Sequence, residues 1–191
     1  MTSDPASTNL TGSCCAIVSL SAADEERIDL VAHRMRLTLI EVEGQANGTA
    51  LYTLDWLRER VRWHLDHQAC TGAVLLAERH DGEVAGHTIV RVERDEQGER
   101  FGLFSTTYVD PAQRGLGLAD QLLQHGEQWM RAHGLDRAAT WTSSTNVKLI
   151  KLYARHGYAE DQRGTHPQTG TVMVRLARAL QGHRHGEILG T

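Results

Sequence analysis

The chain has 191 residues, of which 40% are hydrophobic and 23% charged, and this composition fits one globular domain with a substantial core. The net charge of −4 and the absence of a basic tract argue against nucleic-acid binding. Three cysteines without paired spacing, no secretory signal and no apolar run of membrane-spanning length predict free thiols, no structural zinc, no membrane segment and a cytoplasmic location.

The predicted elements follow from apolar stripes of helical spacing and from β-rich runs. In chain order they are a strand at 16–20, helices at 22–40 and 53–68, strands at 73–79, 83–94 and 100–109, a helix that ends at His133, a strand at 136–142, a helix at 146–156, and strands at 158–163 and 171–177. Two glycines and an asparagine predict a loop over 43–50. We expect flexible termini at 1–15 and 181–191 around a single domain of 16–180.

The order of these elements predicts the fold class. Antiparallel strands come first, and a strand-helix-strand crossover follows them. This is an α+β or mixed-sheet α/β arrangement rather than a regular Rossmann alternation. The spacing Gly-x-Gly-x-x-Gly is also absent, which argues against a dinucleotide site.

The segment between the predicted strand at 100–109 and the next helix carries the most informative pattern. It contains Pro111, Arg114, Gly115 and Gly117. Glycines allow a close approach of the main chain to a ligand, and the N–H groups at a helix start can bind an anion. The segment therefore predicts a cradle for the phosphates of a cofactor, although the glycines alone would also fit a tight strand-to-helix turn.

Two motifs resemble those of the GNAT superfamily of acyl-CoA-dependent N-acetyltransferases. Arg114-Gly-Leu-Gly-Leu-Ala119 fits the cofactor signature Gln/Arg-x-x-Gly-x-Gly/Ala. Asn146, Tyr153 and the pair Gly157-Tyr158 fit the family's later motif of asparagine, tyrosine and Gly-Phe/Tyr. The element order agrees with the family fold over about 16–177. The resemblance implies a mostly antiparallel central sheet with a parallel pair of fourth and fifth strands, flanked by helices.

The resemblance also implies which residues bind acetyl-CoA, or another short acyl-CoA, as the cosubstrate. In the family, amides of the signature loop hold the pyrophosphate, and the pantetheine arm pairs with the fourth strand like an added strand. An asparagine of the later motif often contacts the cofactor. Carried onto this chain, the cofactor-binding residues are Thr107, Val109, Arg114, Gly115, Leu116, Gly117, Leu118, Ala119, Asp120 and Asn146.

Two catalytic roles follow from the same resemblance. The Val109 amide would face the thioester carbonyl as an oxyanion donor. Tyr153 would protonate the leaving thiolate, and a tyrosine suits this role because its ordinary pKa of about 10 keeps it protonated at neutral pH. Tyr153 also lies on an apolar helix stripe, so a place in the core is the alternative. Likewise, Asn146 could be a helix cap only.

The general base that many family members carry on the fourth or fifth strand cannot be named here. The predicted strand at 100–109 contains no carboxylate after Arg100, and Trp141 stands in the corresponding position of the next strand. Several side chains remain open as a water relay or as a base, and the amine could also arrive deprotonated. These candidates are Ser105, Thr107, Glu78 and His87.

Other polar and aromatic residues carry weaker expectations. His64 and His67 could chelate a metal, but without a third ligand a solvated helix face is favoured, and no metal site is predicted. Trp56 and Trp63 could belong to the core, to a groove wall or to a substrate contact. Acidic residues at 41 and 43 could attract a cationic amine.

The sequence as a whole predicts an N-acetyltransferase that passes an acetyl group directly to a primary amine of a small molecule or peptide. The acceptor groove is expected along the loop 41–53, the strand at 104–107 and the loop 164–170. The alternative is a non-catalytic regulatory domain that binds acyl-CoA. Because homodimers are common in the family, the resemblance also suggests a homodimer.

Overall fold

The computed structural model describes residues 15–180 and contains one seven-stranded sheet in the order β1-β2-β3-β4-β5-β7-β6. All neighbouring strands are antiparallel except β4 and β5, which are parallel, so the predicted fold class and the parallel pair are confirmed. The strands are β1 Cys15–Ser19, β2 Gly72–Arg79, β3 Val84–Arg94, β4 Arg100–Val109, β5 Arg137–Ser143, β6 Ala159–Thr165 and β7 Val172–Ala179. The expectations for residues 1–14 and 181–191 lie outside the described residues.

Helices cover both faces of the sheet. They are α1 Glu25–Ala50, α2 Leu54–Leu65, α3 Leu118–Ala132 and α4 Val147–Arg155, with a short 3-10 turn at Pro111–Gln113. Ile89 packs with α1 and α2, whereas its neighbour Val90 packs with α3 and α4. Successive residues of a strand point to opposite faces, so the two helix pairs lie on opposite sides of the sheet. None of the helices between residues 15 and 180 is long and apolar enough to cross a bilayer.

The first helix differs from the prediction. The segment 43–50 is not a loop, because the chain bends at Gly44, with φ of 81°, and then continues as helix to Ala50. The returning piece packs so closely on the first that a Cβ on Gly48 would lie 2.5 Å from the Ile40 Cα. The glycines that indicated a loop therefore serve a sharp bend and a close contact between two helical pieces.

Candidate active site

A cavity of about 750 Å³ runs from the segment after β4, past the end of the β4–β5 pairing, to helix α2. Parallel pairing of the two strands reaches only as far as Phe104 and Thr140. Beyond this point the strands separate, and the gap is lined by Thr107 and Val109 on one side and Ser143 on the other. The cavity therefore passes between the two strands and joins the two faces of the sheet.

The main-chain groups of Thr107 and Val109 point into this gap. Asp110 N donates to Ala85 O at 2.9 Å, which makes these two residues a hydrogen-bonded pair of the β3–β4 ladder. Hydrogen-bonded pairs alternate along an antiparallel ladder, so Thr107 and Val109 belong to the pairs whose N–H and C=O groups face away from β3. Two main-chain amides are thus available at the edge where β5 departs, as a ligand that adds to the sheet requires.

The segment between β4 and α3 presents further open amides. Gly115 and Gly117 have φ of 82° and 78°, and a Cβ on either would meet nothing within 4 Å. Gly117 is the N-cap of α3 and supplies no side-chain cap. Within residues 15–180, the N–H groups of 115–120 donate to no protein acceptor. A run of unpaired amides at a helix start fits an anion such as a diphosphate.

The side chains of this segment are held by other elements. Arg114 forms a two-point ion pair with Glu41 at 2.9 and 3.0 Å, and its Nε donates to Val109 O at 3.0 Å. Leu116 is 62% exposed and does not line the cavity. The predicted loop thus offers main-chain groups to the cavity, and Arg114 ties it to α1 and to the end of β4.

Asp120 in the first turn of α3 turns its carboxylate toward the end of α4. It accepts from His156 Nε2 at 2.7 Å and from Arg155 at 3.1 Å. Partial burial raises the pKa of Asp120, but these two hydrogen bonds outweigh burial and lower it below its ordinary value. The residue therefore connects the two helices beside the open amides.

Asn146 is both a helix cap and a cavity residue. Its Oδ1 accepts from Leu149 N at 3.3 Å at the start of α4, and its Nδ2 donates to Thr142 Oγ1 at 3.1 Å. The side chain also lines the cavity. The capping role is confirmed, and a contact of Asn146 with the cofactor stays a prediction.

Tyr153 lies directly beneath the point where β4 and β5 part. The ring is 1% exposed and makes edge contacts with Phe104 and Tyr158 at centroid distances of 5.7 and 4.8 Å. Its hydroxyl is in hydrogen-bonding contact with Thr107 and Thr140, which line the cavity where Tyr153 itself does not. Burial raises the pKa of Tyr153 above its ordinary value, with the two threonines opposing the shift, so the hydroxyl keeps its proton.

The cavity offers three carboxylates among its lining residues, and each is already bound within the protein. They belong to Glu41, Glu43 and Asp120. Their partners are Arg114 and Lys148 for Glu41, Thr171 for Glu43, and Arg155 and His156 for Asp120. The expected attraction of a free cationic amine by residues 41 and 43 is therefore reduced.

The remaining base candidates occupy different places. Glu78 forms an ion pair with Arg27 at 2.7 Å, and His87 is fully buried; neither lines the cavity. Ser105 and Thr107 do line it, so they keep their place as candidates for a water relay. The Thr107 hydroxyl also lies 2.8 Å from that of Thr88.

Sequence reasoning missed two arginines, Arg60 and Arg91, and the burial of His64 at the opposite end of the cavity. We call this part, lined by Arg60, His64, Arg91 and Ser105, the arginine end, and the part lined by residues of 115–120 the loop end. His64 is 1% exposed rather than part of a solvated face. Its Nδ1 lies 2.6 Å from Arg60 O and its Nε2 lies 3.4 Å from Arg91 Nη1.

Burial lowers the pKa of His64 to about 4, so the ring is neutral at pH 7. A neutral ring that donates through Nδ1 can accept through Nε2, which agrees with the position of Arg91. The spacing of His64 and His67 in the sequence predicted neither the burial of His64 nor its contact with Arg91. Both depend on how α2 packs on β3.

Comparison with known proteins agrees with this geometry. Residues 43–158 match the model of the acetyltransferase (GNAT) family. An L-methionine sulfoximine/L-methionine sulfone acetyltransferase of Pseudomonas aeruginosa is 35% identical over 131 residues, which are 67% of this chain and 74% of that protein. A mycothiol acetyltransferase of Acidimicrobium ferrooxidans is 28% identical over 104 residues. The aligned segment is 54% of this chain but only 32% of that relative.

The structural comparison gives the same fold. The solved structure of yncA from Salmonella typhimurium with its cofactor acetyl-CoA has a TM-score of 0.68 at 19% identity. The match covers 91% of this chain and 98% of that one. The resemblance inferred from the two sequence motifs is confirmed, and the chain belongs to the acetyltransferase (GNAT) family.

Proposed function

We propose that the protein transfers an acetyl group from acetyl-CoA directly to a primary amine. The observation that carries this proposal is the cavity, which joins open amides on one side of the sheet to a polar and aromatic chamber on the other. The amides of 115–120 would hold the diphosphate, and those of Thr107 and Val109 would pair with an extended arm in the gap. Bound acetyl-CoA would supply an activated acyl group.

The catalytic roles proposed for this chain use groups at the gap. The Val109 amide points into it and would donate to the developing oxyanion. Tyr153 does not line the cavity, so its proton would pass to the leaving sulfur through the hydroxyl of Thr107 or Thr140, both of which do line it. Binding both substrates in one cavity would supply the remaining rate enhancement through proximity.

A thiol-release assay tests the proposal. The protein would be incubated with acetyl-CoA and a panel of amines, including amino acids, polyamines, peptide N-termini and L-methionine sulfoximine, for which one relative is named. We expect free thiol to appear only when a suitable amine is present. If no amine in the panel releases thiol above the protein-free rate, the proposed transfer is wrong.

A second candidate function is an acyl-CoA-binding domain without turnover. It is favoured by one observation, namely that the three cavity carboxylates are all engaged by other side chains. This candidate predicts that calorimetry detects acetyl-CoA binding while the thiol-release assay stays negative across the whole panel. Acceptor-dependent thiol release would reject it.

The location and assembly of the protein are also proposals. Cys70 is a buried thiol that forms no disulfide within residues 15–180, which supports a reducing compartment such as the cytoplasm. The homodimer suggested by the family resemblance stays a prediction. Sedimentation equilibrium in the presence and absence of acetyl-CoA would measure the mass of the protein in solution.

A further inference from the structure

We propose that the arginine end binds a carboxylate of the acceptor, so that the preferred acceptor is a small amino acid rather than a simple amine. This inference rests on the proposed function and names the substrate class of the same cavity. It is carried by two guanidinium groups that face one chamber, Arg60 from α2 and Arg91 from β3.

Arg60 has no carboxylate partner among residues 15–180, although most arginines in that range form ion pairs. Its guanidinium lies over the ring of Trp63 at 4.0 Å from the centroid. Burial, and then the charge of Arg91, lower the pKa of Arg60. A partly buried cation beside a like charge gains free energy when an anion enters between them.

Arg91 is held in a fixed orientation by its neighbours. Its Nε donates to Glu93 at 2.6 Å, its Nη1 donates to Ser105 Oγ at 2.7 Å, and His64 Nε2 lies 3.4 Å from Nη1. The neutral His64 adds no third positive charge at pH 7. Arg91 Nη2 donates to no acceptor within the described residues, so it remains available to a ligand.

The position of the pair along β4 separates it from the phosphate cradle. Ser105 contacts Arg91 near the end of the β4–β5 pairing, whereas the amides of 115–120 that would hold the diphosphate lie beyond Val109. At about 3.3 Å per strand residue, roughly 13 Å separate Ser105 from Val109. The two arginines are therefore on the acceptor side and do not belong to the diphosphate site.

The distance to the gap favours a compact acceptor. Thr107, whose amide faces the gap, lies two residues beyond Ser105, or roughly 7 Å along the strand. A small amino acid can place its amine near the gap while its carboxylate reaches a guanidinium. The stacked rings of Tyr52 and Trp56, with centroids 4.1 Å apart, line the same chamber and offer an apolar surface to a side chain.

The test compares each amino acid with its own carboxamide, which keeps the amine and the side chain but removes the negative charge. The panel contains the twenty common L-amino acids and L-methionine sulfone, each as acid and amide, with acetyl-CoA as donor. We expect kcat/KM for the best acid to exceed that of its amide by at least about tenfold, since tenfold corresponds to about 1.4 kcal/mol. Arg60→Met and Arg91→Met should bring this ratio close to one.

Arg62→Met is the matched control, because Arg62 lies on the same helix, forms ion pairs with Glu25 and Glu59, and does not line the cavity. It should leave the acid-to-amide ratio unchanged. Since Arg91→Met also removes the contacts with Ser105 and His64, Arg60→Met, which breaks no such contact, keeps the test valid if Arg91→Met does not fold.

A binding measurement separates failure of this inference from failure of the proposed function. Calorimetry with the protein saturated with CoA would measure binding of the same acids and amides without turnover. Tighter binding of acids that disappears in Arg60→Met supports the carboxylate site even if no transfer occurs. If amides bind and react as well as acids, or if no acid in the panel binds, the inference is wrong, although transfer to other amines would leave the acetyltransferase proposal intact.

Discussion

The two ends of the cavity are built from different parts of the chain. At the loop end the groups that we propose to contact the ligand are main-chain amides of consecutive residues, placed by Gly115, Gly117 and the start of α3. At the arginine end they are side chains from α2, β3 and β4, which meet only because those elements pack together. We therefore expect the loop end to tolerate many side-chain substitutions, whereas a single substitution at the arginine end should change acceptor specificity.

Tyr153→Phe should have the largest effect, because it acts at the gap between the two ends. We expect kcat to fall by about 100-fold, the lower part of the range for loss of a general acid, while acetyl-CoA affinity is retained. Steady-state kinetics and calorimetry measure the two quantities. The control is Tyr158→Phe, whose hydroxyl donates to Glu127 at 3.0 Å in the core and whose loss should reduce stability but not kcat. A Tyr153→Phe protein with the wild-type kcat would remove Tyr153 from the mechanism.

The buried side chains of the arginine end should also make stability depend on pH. The pKa of His64 falls from 6.5 to about 4 on folding, so between these values the unfolded chain binds a proton that the folded chain does not. Stability therefore decreases as the pH falls through this window, by about 2 kcal/mol from this group between pH 8 and pH 5. In His64→Gln the difference between the unfolding free energies at these two pH values should shrink by that amount.

Urea unfolding at pH 8 and pH 5 measures the effect. His67→Gln is the control, because His67 is exposed just beyond the end of α2. An equal pH dependence in wild type and in His64→Gln would contradict the neutral, buried state of His64.

Gly117→Ala tests the loop end through the main chain. The positive φ makes alanine costly by about 1–2 kcal/mol of unfolding free energy. The new methyl group would also enter the space above the open amides, so we expect acetyl-CoA affinity to fall by about tenfold or more. Gly134→Ala has a similar φ of 70° at the end of α3 and should cost similar stability without loss of affinity. Equal affinities in the two variants, measured by calorimetry, would argue against the cradle.

Glu41→Gln should have the smallest effect, although it breaks the two-point contact with Arg114. Both side chains are partly exposed, and such pairs contribute less than about 1 kcal/mol. If the loop end depends on main-chain amides, acetyl-CoA affinity should change by less than this amount. A loss as large as that of Gly117→Ala would mean that a side-chain ion pair, and not the backbone, determines binding.

Features that depend on neighbouring residues could be predicted from the sequence, whereas features that depend on the packing of distant elements could not. Each predicted strand and helix is present, because apolar periodicity and caps such as Thr53 act within a few residues. The segment 43–50 was predicted wrongly, since Gly44 and Gly48 serve a bend and a helix contact that local rules cannot distinguish from a loop.

The candidate site also contains groups that the sequence predicts and groups that only the packing brings together. The loop amides could be predicted because a contiguous motif marks them. A place of Tyr153 in the core was one of two alternatives from the sequence, but its contact with Thr107 and Thr140 could not be predicted, because these residues come from α4, β4 and β5. Arg60 and Arg91 also lacked a sequence signal, since they approach each other only through the packing of α2 on the sheet.

The most direct test of the account is an amide chemical-shift titration of the ¹⁵N-labelled protein with CoA. The account predicts that the resonances of 115–120, together with those of Thr107 and Val109, shift with a single saturable affinity, while that of Gly134 does not move. Saturable CoA binding that leaves the amides of 115–120 unshifted would contradict the claim that this backbone segment holds the diphosphate.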